Sequence, residues 1–278
     1  MDEARQGWEP LNRDKVTLVG AGGRMGQEIA DVLLGNPLLT LGAAIESEES
    51  PLLGLPVPSF PDLSYDADLG RGISRCEVGI DFSSPANLKS TVEGFVQAKK
   101  PLVIGTTGLT VADRDFVREM GAHIPILWSP NMSLGVNLLA ILSGQAARAL
   151  EGFDAEILEI HHRHKKDAPS GTALFLGEAV ASARKGSLSD LGVFVRHGLT
   201  GERDEGSIGV MALRGGDVPG DHTVFFLGPG ERLELTHRAE SREVFARGAV
   251  RAAAFLLGRP TGFYTMADVL LSGEGQGP

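Results

Sequence analysis

The 278-residue chain has one cysteine, Cys76, which excludes a disulfide framework within the chain and a cysteine-based zinc site. A single thiol fits a reducing compartment, so a cytoplasmic location is expected. Basic residues are scarcer than acidic ones, 26 against 36, giving a formal charge of -10 and a pI near 5.2. Nucleic acid is therefore not an expected partner, because phosphate binding needs basic faces. No apolar run approaches the length of a membrane span, so no membrane partner is expected. Residues 1–14 are polar, have no apolar signal-type segment, and read as a frayed extension ahead of the first strand. The 42% hydrophobic share and 22% charge are those of a globular chain, long enough for one large domain or two ordinary ones.

Strand and helix patterns alternate through the first half. Lys15–Val19 is a β-branched run, and Ile29, Ala30, Val32, Leu33 and Leu34 then recur at helical spacing. Leu39–Ile45 reads as the next strand and ends at Glu46. A loop rich in proline and glycine is expected over Pro51–Gly72. Val78–Phe82, Pro101–Ile104 and Ile124–Trp128 read as strands, separated by helices at Pro85–Lys99 and Ala112–Met120. This alternation means βαβ units and a parallel sheet, with chemistry gathered at the carboxyl ends of the strands. After Met132 the texture changes. A long helix, Leu134–Leu150, leads to a strand at Ala155–Ile160, then a helix from Ser170 to about Ala183. Three strand candidates follow, Ser207–Leu213, His222–Leu227 and Arg232–His237, and then helices near Arg242–Leu257 and Tyr264–Leu271. The expected fold class is α/β. A Rossmann-type parallel sheet occupies 15–132, and an α+β domain with a mixed sheet occupies 133–240. Residues 241–278 are expected to pack back on the first domain. The second domain's sheet would leave one face free for subunits to pack.

Strand, glycine loop, helix and an acid about twenty residues on make up the dinucleotide fingerprint. The loop here is Gly20-Ala21-Gly22-Gly23-Arg24-Met25-Gly26, and the acid is Glu46. Its outer glycines are spaced G-x-x-G-x-x-G, a departure from G-x-G-x-x-G. Backbone N–H groups of such a loop can cradle a pyrophosphate at the helix start. Glu46 would accept hydrogen bonds from the adenosine ribose. A 2′-phosphate there would meet Glu46, Glu48 and Glu49, so NADH is favoured over NADPH; Arg24 is the one cation able to swing toward such a phosphate. Gly105-Thr106-Thr107-Gly108 and Ser129-Pro130-Asn131-Met132 lie where a nicotinamide half would sit, although the same residues also suit ordinary turns.

The densest titratable cluster is His161-His162-Arg163-His164-Lys165-Lys166-Asp167, followed by Ala168-Pro169-Ser170-Gly171-Thr172. It has three readings. A solvated basic loop is the usual fate of a charge run. A metal site is disfavoured by a histidine spacing that fits no zinc motif and by two lysines that would repel a cation. An anion-binding acid–base site explains the histidines and the Pro-Ser-Gly-Thr turn together. Histidine titrates near working pH, and neighbouring cations make Lys165 a readier proton donor. Ser170 is a natural N-cap, and Gly171 and Thr172 offer free N–H groups to a carboxylate.

These motifs resemble the dihydrodipicolinate reductase family. The likeness rests on the glycine loop, on Gly105–Gly108, on the histidine–lysine run with Pro169–Thr172, and on Arg214-Gly215-Gly216-Asp217 and His222-Thr223-Val224. It covers nearly the whole chain from about residue 15. The resemblance implies a homotetramer that transfers hydride from NADH or NADPH to a cyclic dicarboxylate in bacterial lysine biosynthesis. It implies proton donation by His161 and Lys165, and substrate binding by His162, Gly171 and Thr172. Cofactor contacts would fall on Gly20, Ala21, Gly22, Gly23, Arg24 and Met25, on Glu46, on Gly105, Thr106 and Thr107, and on Ser129, Pro130, Asn131 and Met132. Some members carry an arginine after the acid, where this chain has Ser47, which again favours NADH. Rival readings are another two-domain dehydrogenase and an NAD sensor without turnover. Arg214 is taken as a loop anchor, and His197, His222 and His237 as structural. His164, Lys166 and Asp167 have no assigned role.

Overall fold

The structure, a computed structural model, describes residues 13–272. The chain divides into two units. One takes in the chain up to Trp128 together with Ala249–Tyr264, and the other takes in Ser129–Gly248 and the chain from Thr265. The expected frayed extension at 1–14 falls almost wholly outside the described residues; Asp14 already belongs to the first strand.

The first unit begins with β1 (Asp14–Val19), α1 (Arg24–Leu34) and β2 (Leu39–Ile45). Next come β3 (Pro56–Val57), β4 (Phe60–Asp66), α2 (Leu69–Ser74) and β5 (Val78–Asp81). It continues through α3 (Leu88–Ala98), β6 (Leu102–Ile104), α4 (Val111–Met120) and β7 (Pro125–Trp128). Strands β5, β6 and β7 are short, apolar and buried on both faces, the pattern of a parallel sheet covered by helices. Phe95, Leu88 and Val92 of α3 pack with Leu102, Ile104 and Val117. The expected loop over Pro51–Gly72 is instead β3, β4 and the start of α2. β4 pairs parallel with β2, Tyr65 opposite Ala44. Tyr65 is the one buried residue of β4, so the strand shows no apolar alternation to read.

The second unit starts with α5 (Leu134–Ala149), β8 (Asp154–His161), α6 (Gly171–Ala183), α7 (Leu188–Leu191) and β9 (Gly192–Val193). β10 (Ile208–Arg214), β11 (Gly220–Gly228) and β12 (Glu231–Ala239) complete a sheet ordered β12-β11-β8-β10-β9. It is mixed: β8 runs parallel to β10 and antiparallel to β11. Ile157 of β8, Val210 of β10 and Val224 and Phe226 of β11 form a core with Leu139, Leu176 and Val180 of α5 and α6.

The chain closes with α8 (Glu243–Leu256), β13 (Gly262–Tyr264) and α9 (Met266–Leu271). The expectation for 241–278 divides here. β13 extends the first sheet beyond β7, giving the order β13-β7-β6-β5-β1-β2-β4-β3. Tyr264, expected in a helix, is a strand residue paired with Leu127. α9 packs on α5 of the second unit, and residues 273–278 lie outside the described residues.

The second core sets a stability expectation. Phe226 is fully buried, whereas Leu227, its neighbour on the opposite face, is 37% exposed. Phe226→Ala should cost about 3–5 kcal/mol, and Leu227→Ala well under that. Paired urea titrations followed by circular dichroism would show the difference in midpoint, and equal midpoints would contradict this packing.

Candidate active site

The glycine loop connects β1 to α1, and its geometry suits a dinucleotide. Gly20 has φ +78°, and a Cβ there would lie 2.7 Å from the Phe82 carbonyl oxygen. A Cβ on Gly26 would lie 2.3 Å from the Gly20 oxygen, so α1 packs this close only with glycine. Gly23 is the N-cap and brings no side-chain oxygen, which leaves N–H groups at the α1 start for an anion. A cavity of about 940 Å³ opens over this loop, walled by Gly20, Gly22, Gly23, Glu46, Ser83 and Ser84. Glu46 reaches in from the end of β2, where its Oε1 accepts the Gly22 N–H at 2.6 Å. Arg24 is exposed at the first turn of α1. Gly105 and Thr106 are buried at the end of β6, Thr107 is exposed, and none of the three walls that cavity.

Asp81, at the end of β5, has no role in the sequence reading. It is fully buried and accepts the Ser83 N–H at 2.9 Å and the Thr106 hydroxyl at 3.2 Å. Burial pushes its carboxyl upward, against these hydrogen bonds. The Asp81 side chain therefore ties the start of the Gly105–Gly108 loop to the strand beside it.

Ser129–Met132 groups with the second unit and folds into a turn that leads into Ser133, the N-cap of α5. The Ser129 hydroxyl donates to the Asn131 carbonyl at 2.7 Å. The Asn131 amide donates to Thr172 Oγ1 at 2.8 Å, and its Oδ1 accepts the Ser133 N–H at 2.8 Å. One residue expected at the cofactor is thus bonded to one expected at the substrate.

The inner face of β8 reads Ala155, Ile157, Glu159, His161, so it is apolar at one end and charged at the other. Strand register then gathers the polar partners. His222 of β11 lies opposite Glu159, and Arg214 of β10 lies opposite His161. The Glu159 side chain has no exposed surface. Its carboxylate accepts Arg214 Nη2 at 2.8 Å and Arg214 Nη1 at 3.0 Å, the Ser170 N–H at 3.0 Å, and His161 Nδ1. Burial alone would raise its pKa; the hydrogen bonds from His161, Arg214 and Ser170 outweigh it and hold the group at about 2. His222 packs edge-on against His161 at 5.1 Å, with Nε2 3.3 Å from the Ser170 hydroxyl. Burial, and then the charge of His161, lowers the His222 pKa to about 3, so its imidazole is neutral.

The loop after β8 is pinned at several points. The His162 N–H donates to the Val218 carbonyl at 2.9 Å, and Arg214 Nη2 reaches the Asp167 carbonyl at 2.8 Å. Desolvation, helped by Arg242, His161, His164 and Lys165, holds the half-buried His162 below its usual range. Lys165 Nζ sits 2.9 Å from Asp167 Oδ1, which gives Asp167 a partner that the sequence did not reveal. Ser170 caps α6 by accepting the Ala173 N–H at 3.1 Å. Gly171 and Thr172 occupy the first helical positions, where N–H groups have no intrahelical partner.

His161 and Ser170 are therefore brought together as expected, but through a carboxylate and a guanidinium that the sequence reading passed over. Arg214, taken there as a loop anchor, also clamps Glu159. The signal for Glu159 was the two-residue spacing of Ile157, Glu159 and His161, which puts all three on one face. Glu159, His161 and His222 also have ligand atoms within 4.8 Å of one another. A guanidinium already on both carboxylate oxygens opposes a metal ion there.

A family model for the dihydrodipicolinate reductase N-terminus matches residues 14–132, and one for the C-terminus matches residues 135–270. The chain is 47% identical over 262 residues to a 4-hydroxy-tetrahydrodipicolinate reductase of Anaeromyxobacter dehalogenans, covering 92% of this chain and 97% of the relative. It is 43% identical over 261 residues to the enzyme of that name from Burkholderia pseudomallei, covering 92% and 98%. A solved dipicolinate-bound dihydrodipicolinate reductase from Paenisporosarcina shares the fold, with a TM-score of 0.73 at 22% identity over 91% of this chain and 97% of that one. GenD2 from gentamicin A biosynthesis, solved in complex with NAD, is a more distant fold match, with a TM-score of 0.57 at 14% identity over 97% and 93%. With both halves matched and relatives above 40% identity along nearly all its length, this chain belongs to the dihydrodipicolinate reductase family.

Proposed function

We propose that this chain reduces 4-hydroxy-tetrahydrodipicolinate to tetrahydrodipicolinate at the expense of NADH or NADPH, in the diaminopimelate route to lysine. The observation that carries the reading is the Glu159–His161 strand end beside the open α6 start, in a chain 47% identical to a reductase of that name. Loss of the 4-hydroxyl as water leaves a conjugated imine. A hydride and a proton added to its carbon skeleton then balance the reaction. The reduced nicotinamide, when bound, supplies that hydride. The Gly171 and Thr172 N–H groups receive one substrate carboxylate, with Ser170 holding the helix start in place. His162 and Lys165 meet the other carboxylate. His161 or Lys165 supplies the proton. General acid catalysis is typically worth about 10²–10⁴-fold, so His161→Gln and Lys165→Ala should each lower kcat by something in that range. NADH should still bind to both variants, and pyridine-2,6-dicarboxylate should still bind His161→Gln when NADH is present. Full turnover in both variants would sink the assignment, and wild-type protein that ignores the dicarboxylate would point to an NAD sensor instead.

Cofactor contacts are assigned to Gly20–Met25, Glu46, Gly105–Thr107 and Ser129–Met132. Glu46 at the cavity over the glycine loop, flanked by Ser47, Glu48 and Glu49, supports a preference for NADH. A hydrogen bond to a charged group contributes about 1.5–3 kcal/mol, so Glu46→Ser should cut kcat/KM for NADH by about 10-fold or more and narrow the gap to NADPH. Initial rates with both cofactors check this, and an unchanged ratio would reject the role of Glu46.

A homotetramer formed through the second sheet is supported by its uncovered face. Leu213 and Leu227 are exposed there, beside half-buried Leu158, Ile160 and Met211. Light scattering should give roughly four times the 29.4 kDa chain mass, and a monomer would exclude the assembly. A cytoplasmic location is supported by the single buried cysteine, and no described helix is long and apolar enough to cross a membrane.

A further inference from the structure

Glu159 and Arg214 lie outside the proton-donor and carboxylate roles assigned above, yet Glu159 is a fully buried carboxylate that both terminal nitrogens of Arg214, the Ser170 N–H and His161 all meet. Arg214 binds both Glu159 oxygens through its two terminal nitrogens, a fork that a lysine cannot reproduce. The same guanidinium holds the Asp167 carbonyl at 2.8 Å and so fixes the far side of the loop that carries His162 and Lys165. Glu159 is in turn bonded to the Ser170 N–H, at the N-cap of the carboxylate-receiving helix, and to Nδ1 of His161. Because the carboxylate is ionised, the hydrogen in that last bond belongs to Nδ1. His161 Nε2 has no hydrogen-bond partner among the described residues. It faces Gly220, where a Cβ would lie 2.9 Å from it.

We propose that Glu159, clamped by Arg214, is the positioning residue of the proton donor: it fixes the ring and tautomer of His161 so that Nε2 is the nitrogen that exchanges the proton. This rests on the reading of His161 as a donor given above. One carboxylate thereby sets three parts of the site at once: the imidazole, the α6 start through Ser170, and the loop through Arg214. His222 completes the enclosure as a neutral wall. Neither Glu159 nor Arg214 needs to touch the substrate for this role.

A kinetic double-mutant cycle on the full chain with NADH and freshly generated substrate tests the proposal. Glu159→Gln should lower kcat by about 10–10³-fold with little change in KM for NADH, by analogy with other carboxylate-oriented histidines. In a His161→Gln background the same change should add almost nothing, since the ring it orients is gone. Glu159→Asp, which keeps the charge, should recover part of the loss. Arg214→Lys keeps both charges but loses the fork, and should lower kcat about 10-fold in the native background alone. It decides the matter if Glu159→Gln does not fold. Equal losses with and without His161, or no loss in either variant, would overturn the positioning role while leaving His161 as the donor. Full activity of His161→Gln alone would overturn the donor reading and the positioning role with it.

Discussion

The charge on Glu159 imposes a condition that much of the second unit satisfies. An ionised carboxylate stripped of water is costly unless donors surround it, and removing one partner of such a pair leaves the other uncompensated. Here four donor groups come from three places in the sequence: His161 on the same strand, Ser170 on the following loop, and Arg214 on the neighbouring strand with both of its terminal nitrogens. Satisfying them fixes the β8–β10 register, the entry into α6 and the path of the loop between. The apolar part of the sheet, from Ala155 to Val224 and Phe226, holds the strands in place so that this polar end can be assembled. The same physics that stabilises the buried charge therefore arranges the proposed acid beside the proposed carboxylate cradle.

The first unit meets the opposite problem, since it must leave groups unsatisfied. Gly23 at the N-cap of α1 brings no capping side chain, in contrast to Thr110 of α4 and Ser133 of α5, which accept backbone N–H groups. The α1 start beside Glu46 therefore keeps N–H groups that no capping side chain occupies. Asp81 shows a third solution. Its buried carboxyl has hydroxyl and backbone donors but no cation, and burial prevails over them.

Local order was readable wherever the chain repeats. The β1–α1–β2 unit, the apolar runs of β5 to β7 and the Ser170 cap followed from spacing and cap chemistry. β4 was not readable, because a strand with one buried residue carries no alternation, and β13 was missed because three residues give no period. Within the site, the residues adjacent in sequence were found and those brought in by register were not. Arg214 lies 55 positions from Glu159, and nothing in local sequence couples them. His164 and Lys166 remain exposed; the His164 ring lies 6.2 Å from that of His162.

The composition of the first sheet also bears on how the chain is made. Its edge strand β13 is encoded after Ser129–Gly248, the larger part of the second unit, so when residues up to Trp128 have left the ribosome, the outer edge of β7 has no neighbour. A nascent chain holds that open edge for as long as Ser129–Gly248 takes to be synthesised. Exposed strand edges invite pairing with other chains. Most of the second unit therefore emerges while the first is still incomplete, and that edge of the sheet is covered only by one of the last segments translated.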